Sequence, residues 1–224
     1  MKIQKQQPDY QVWELKVNRE KGAVQLSWKF KQGSHFLVYI HDSRIEIGLS
    51  QILEELKKQK VPDAKIFAGS SLVYESTNGI DKLFCMREKE FLNKGKKFTL
   101  ESRNFKQGIP YSIRVYMCNY NPDNETYFIY ESSGEENVGF LPVNIQVDIK
   151  EKKRWFTTKK WCFIHVPWLE AYTDGAILYH VDGARCDFPL PGSCLGKELC
   201  VQVPRTASVS IRIADEYKKY YRKA

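Results

Sequence analysis

Apolar and polar residues alternate along much of this chain. Val24, Leu26, Trp28 and Phe30 take the even positions of one run, with Gln25, Ser27 and Lys29 between them. A period of two sends alternate side chains to opposite faces, the mark of a half-buried antiparallel strand. Residues 12–17 alternate in the same way, and the turn Arg19-Glu20-Lys21-Gly22 joins the two runs. Gln32-Gly33-Ser34 breaks the chain before a third strand at 35–40. The period then changes. Leu49, Ile52, Leu53 and Leu56 recur at helical spacing, Ser50 is placed to cap the start, and Pro62 stops continuation. Strands are expected again at 66–67, 72–74 and 82–86, with Asn78-Gly79 as a turn, and then at 98–100, 111–117 and 126–130.

Residues 132–139 are small and polar, and a linker is expected over 134–142. Beyond it Val143, Ile145, Val147 and Ile149 take alternate positions. Further strands are expected at 161–166, 176–181, 199–203 and 208–213, with Asp174-Gly175 and Asp182-Gly183 as turns. The polar, aromatic stretch 215–224 reads as an edge strand or a short helix.

The run Phe98-Thr99-Leu100, followed by Phe105-Lys106-Gln107-Gly108-Ile109-Pro110-Tyr111-Ser112-Ile113-Arg114-Val115, resembles the E-to-F region of a fibronectin type III domain. It has an apolar anchor, a glycine turn, and a tyrosine opening an alternating strand. Tyr111 is similar to the tyrosine corner, whose hydroxyl bonds back to the preceding loop. Leu26-Ser27-Trp28 resembles the family's B strand with its core tryptophan, and Val38-Tyr39 its C strand. The resemblance covers about residues 10–133 and implies a β-sandwich with Trp28, Tyr39, Leu100 and Tyr111 as core anchors. One departure is the insert at 43–92, which carries the helix and is far longer than the family's C-to-E connection.

Length and composition add bounds. The chain has 224 residues, enough for two domains, and its 42% hydrophobic and 28% charged residues are ordinary for proteins that bury a core. Aromatics at 13% favour strands. No stretch has the apolar length of a membrane helix, and the start, Met1 to Pro8, has no apolar run behind its charges. A cytoplasmic location is expected, with the cell surface or excision from a larger exported protein as the alternative. The net charge is +8, and the excess is denser after residue 140, with 14 basic against 9 acidic residues. Such a balance favours acidic partners, although charge runs are often only solvated surface.

Tests for chemistry find little. Gly192-Ser193-Cys194-Leu195-Gly196-Lys197-Glu198 has one residue too few between its glycines for a phosphate loop, and Glu stands where Ser or Thr would hold magnesium. Cys186, Cys194 and Cys200, with His165 or His180, lack the close ligand pairs of a zinc knuckle, so free thiols, a disulfide or a metal stay open in that order. Cys162, His180 and Asp182 form the best nucleophilic constellation, with His180 and Asp182 on one face of a strand. Trp155, Trp168 and Tyr172 fall in expected loops, where rings left exposed would stack on sugars, the alternative being that Trp168, after Pro167, plugs the end of the core. Lys150, Lys152, Lys153 and Arg154 lead into Trp155-Phe156, then Lys159-Lys160-Trp161, a mixture of cations and rings that suits nucleic acid.

The expected protein is mostly β: two tandem immunoglobulin- or fibronectin-like sandwiches at 10–133 and 143–224, the first with a short helical insert. Its expected function is a non-enzymatic protein-interaction or scaffold module, with carbohydrate-binding accessory domains or a basic-aromatic nucleic-acid surface as alternatives. The candidate binding surface is Lys152, Lys153, Arg154, Trp155, Lys159, Lys160 and Trp168. No cofactor, metal or catalytic residue is expected.

Overall fold

The computed structural model describes the chain except residues 6, 46–47, 70, 132–137 and 171. It divides into two units, Met1–Lys106 with Tyr111–Leu141, and Pro142–Ala224 with Gln107–Pro110. Strand is the predominant regular structure among the described residues, with three short α-helices.

In the first unit the strands are β1 (Lys2–Gln4), β2 (Val12–Glu20), β3 (Ala23–Phe30), β4 (His35–Asp42), β5 (Ser71–Glu75), β6 (Lys82–Arg87), β7 (Phe98–Glu101), β8 (Tyr111–Asn121), β9 (Thr126–Tyr130) and β10 (Val138–Leu141). The helices are α1 (Leu49–Lys58), α2 (Asp63–Ile66) and α3 (Glu88–Asn93). Strands β2, β3 and β7 form one antiparallel sheet in that order. The larger sheet runs β1-β9-β8-β4-β6-β5. Strand β10 joins it beside the first residues of β8, and β9 pairs with the last ones.

Strand β4 explains the layering. Phe36 to Asp42 are all buried, so both faces of the strand must be covered. On one face Phe36 meets Trp28 of β3 edge-on at 5.2 Å, while Phe84 of β6 meets Phe98 of β7 at 5.9 Å. These contacts pack the two sheets together. On the other face Leu37 and Tyr39 share a cluster with Leu49, Ile52, Leu53 and Leu56 of α1. An isolated ten-residue helix is marginal in water. Here its apolar stripe is buried, each large side chain contributing about 1.5–3 kcal/mol. Lys57 and Lys58 in the last turn suit the negative end of the helix dipole.

Trp28, Tyr39, Leu100 and Tyr111 are all buried. The Lys106 backbone N–H donates to the Tyr111 hydroxyl at 2.8 Å, which ties the loop before β8 to that strand. Trp28 also stacks on Phe91 of α3 at 4.1 Å.

Several details differ from expectation. Residues 66–67 are not a strand, because Asp63–Ile66 is a helical turn entered from Pro62, whose fixed φ suits a helix start. The cap of α1 is Gly48, not Ser50, and no side-chain bond closes it. Residues 138–141 of the expected linker are strand β10, so the first unit reaches Leu141; residues 134–137 lie outside the described ones. Gly139 there is needed for close packing, since a Cβ would lie 2.3 Å from Cγ2 of Val17.

The second unit contains β11 (Val143–Ile145), β12 (Asp148–Lys153), β13 (Lys159–His165), β14 (Ile177–Val181), β15 (Phe188–Pro189), β16 (Glu198–Pro204), β17 (Val209–Ile213) and β18 (Tyr221–Lys223). One sheet is β12-β13-β16 and another β15-β14-β17. The run at 143–149 is two strands, and β11 pairs in parallel with β18. Residues 215–224 hold both a 3-10 turn and a strand. Ile164, Ile177, Leu190, Ile211 and Tyr221 join in one core.

Removing a large side chain under the central sheet measures how far the unit depends on its helical cover. Leu56→Ala is expected to lower unfolding free energy by about 2–5 kcal/mol, read from the urea midpoint. A loss under about 1 kcal/mol would mean that the cover is dispensable.

Candidate interaction surface

Strand β12 reads Asp-Ile-Lys-Glu-Lys-Lys and lies at the edge of its sheet. Charge on an edge strand discourages pairing with other chains. Residues opposite one another in an antiparallel ladder share a face. Lys152, Trp161 and Gln202 therefore share the outer face with Lys150, Phe163 and Cys200. Trp161 and Phe163 are only half-buried there.

The opposite parity turns inward. Lys160, Cys162 and Ile164 are buried. Lys160 is only 5% exposed, and its Nζ donates to Glu151 Oε1 at 2.6 Å. Lys160 is thus not part of a free cationic surface, which corrects the expectation from sequence. Its ammonium is committed to a carboxylate because a buried charge needs a partner.

Between the strands the chain turns at Arg154, Trp155 and Phe156. Trp155 is 87% exposed and Phe156 99%. Phe156 has φ +65°, a left-handed conformation rare for a bulky residue and costing about 1–2 kcal/mol. The base of the turn is fixed. The Thr157 hydroxyl lies 2.7 Å from the Lys159 carbonyl oxygen and 3.1 Å from that of Arg154, and the Arg205 N–H donates to the Thr158 carbonyl at 2.9 Å. The two rings stand 6.4 Å apart and 58° to one another. Lys152, Lys153, Arg154 and Lys159 flank them, all exposed. None of these four is in an ion pair among the described residues. Phe156 belongs to this tip as fully as Trp155, and the signal for it was its place beside Trp155 in a basic run.

Trp168 does not join the tip. It is 70% exposed, but follows the far end of β13, about 20 Å away at the usual rise of an extended strand. Tyr172 is half-buried, and its hydroxyl donates to the Leu190 carbonyl at 2.6 Å. Trp155, Trp168 and Tyr172 therefore make no shared platform for a sugar.

The nucleophilic constellation also separates. Cys162 lies on β13 and His180 on β14, in different sheets. Cys162 packs with Val203, Ala207 and Val181, and burial pushes its thiol up. His180 points the other way from its neighbour Val181. Its Nδ1 is 2.7 Å from Asp187 Oδ1, and Nε2 is 3.9 Å from Asp182. All six cysteines are free, with Cys186 and Cys200 exposed. Among the described residues no group of three or more His, Cys, Asp or Glu side chains is placed to hold a metal. Residues 192–194 of the glycine-flanked segment form a 3-10 turn.

No family model matches this chain, and no curated protein matches it.

The ion pair beneath the tip has a measurable consequence. Glu151→Gln leaves the Lys160 ammonium buried beside a neutral group, and stability is expected to fall by about 1–3 kcal/mol in urea denaturation. Adding Lys160→Met should recover most of it, because the unpaired charge goes too. A single variant as stable as the parent would remove the structural role of this pair.

Proposed function

We propose that this chain is a non-enzymatic interaction module of tandem β-sandwiches, with the β12–β13 tip as its contact surface. The observation that carries this reading is the pair Trp155 and Phe156, held in solvent on a braced turn among unpaired cations. Water penalises exposed rings of this size, so a folded chain gains nothing from holding them out unless something covers them. Trp and Arg are also the residue types that carry the most energy in contact surfaces. The complementary surface is apolar at its centre and acidic around it.

A fibronectin-like identity for the first unit draws support from three features. The strands likened to B and E, β3 and β7, are neighbours in the smaller sheet. Those likened to C and F, β4 and β8, are neighbours in the larger. The Tyr111 hydroxyl receives a bond from the preceding loop. In this reading the first unit is a rigid support, and the helix-bearing insert covers one of its sheets.

The test compares the chain with a Trp155→Ser/Phe156→Ser variant, each immobilised and washed with native cell extract. At least one component is expected to be retained by the parent and reduced about tenfold or more in the variant, as for loss of two central contact residues. Identical retention by the two proteins would contradict the reading.

A further inference from the structure

The geometry of the tip points to one class of partner. We infer that the hairpin docks on a lipid bilayer bearing anionic headgroups, with Trp155 and Phe156 entering the boundary between headgroups and acyl chains. This rests on the reading of the tip as a contact surface and names what that surface meets.

Shape is the first ground. The rings occupy the outermost point of a turn, and neither is held by neighbouring side chains over most of its area. A protein pocket would have to fix both rings in one rotamer pair, at a cost in side-chain freedom that nothing in the free tip has prepaid. A fluid interface accepts either ring in any rotamer. Residue type is the second ground. Tryptophan concentrates at the membrane–water boundary, where a ring that is mostly apolar with one polar N–H fits both sides.

Charge placement is the third. From Lys152 to Lys160 the chain contains no acidic residue. Lys152, Lys153 and Lys159 sit on the strand ends immediately behind the rings, and Arg154 stands beside Trp155 at the start of the turn. Rings inserted to the headgroup level would bring those ammonium and guanidinium groups against the phosphates. Each such contact favours an anionic surface by a factor of about five. Trp161 and Phe163, half-buried on the outer face with Lys150 and Lys152 across the ladder, extend the same chemistry down the hairpin. Attachment of this kind needs no spanning segment, and no described helix is long and apolar enough to cross a membrane.

Single-stranded nucleic acid is the competing occupant, since it also combines negative charge with surfaces that stack on rings. Successive bases stack on rings presented in a row. Here the two rings are tilted 58° to each other at a convex apex, and Trp168 lies at the opposite end of β13.

The test is co-sedimentation of the whole chain with vesicles of phosphatidylcholine alone and of phosphatidylcholine with about 30% phosphatidylserine, at low and high salt. Binding is expected to the anionic vesicles, weakened by salt and much lower on the neutral ones. Trp155→Ala/Phe156→Ala and Lys152→Glu/Lys153→Glu should each weaken it about tenfold or more, with unchanged melting temperatures. Phe156→Trp should retain it. Absence of binding, or equal binding by parent and tip variants, overturns the lipid inference. If the anionic vesicles fail while a polyuridine strand or a protein from extract is held through the tip, the interaction-module reading stands with another partner. If tip dependence is absent in extract as well, both fall.

Discussion

The first unit depends on covering both faces of strand β4. A strand with one wet face alternates; β4 is buried from Phe36 through Asp42. The smaller sheet supplies one cover through Trp28 against Phe36, with Phe98 meeting Phe84 of the neighbouring β6, and α1 supplies the other through Leu49, Ile52, Leu53 and Leu56. Neither cover is an independent structure. A three-stranded sheet and a ten-residue helix gain their stability from the surface they bury. The insert at residues 43–92 is therefore part of the core of its unit, and not an appendage on a finished sheet.

The second unit puts its strength to a different use. Its hairpin buries Cys162 and Ile164 on one side and pairs Lys160 with Glu151 within the same packed face. Lys150 pairs with Asp148, which leaves Lys152, Lys153, Arg154 and Lys159 outside any ion pair among the described residues and the apex free of packing duties. Thr157 and the Arg205 amide hold the turn in shape, so Phe156 keeps a backbone conformation that a loose loop would abandon. The braced turn and its exposed rings support the proposed contact surface; in the polar cluster of His180, Asp187 and Arg212 the groups already satisfy one another.

Much of this was legible in the sequence because period two survives wherever one face is wet. Residues 24–30 and 208–213 announce their strands for that reason. Legibility failed where the signal was short or the packing was remote. Helix α3 has only Phe91 and Leu92 as apolar residues in one and a half turns, too few for a period, yet Phe91 is completely buried against Trp28. Gly139 made β10 look like a linker, whereas its missing side chain makes room for Val17 of a strand far away in sequence. Lys160 reads as surface in a run of cations, but it alternates in step with Cys162 and Ile164 and so turns inward with them. The separation of Trp168 from Trp155 follows from the full length of β13 between them, which a list of exposed aromatics conceals.

In the proposed mode of contact, Trp155 alone among the chain's five tryptophans is both largely exposed in the free protein and at the apex of the contact surface. Fluorine NMR of the chain grown with fluorotryptophan tests it, with each signal assigned by a Trp→Phe variant. With a soluble paramagnetic agent, Trp155 and Trp168 should relax fastest and Trp28 slowest. When anionic vesicles are added, the Trp155 signal should shift or broaden and become shielded from the agent, while Trp168 stays exposed. Shielding of Trp155 in the free protein, or an equal response of Trp155 and Trp168 to the vesicles, would contradict the account.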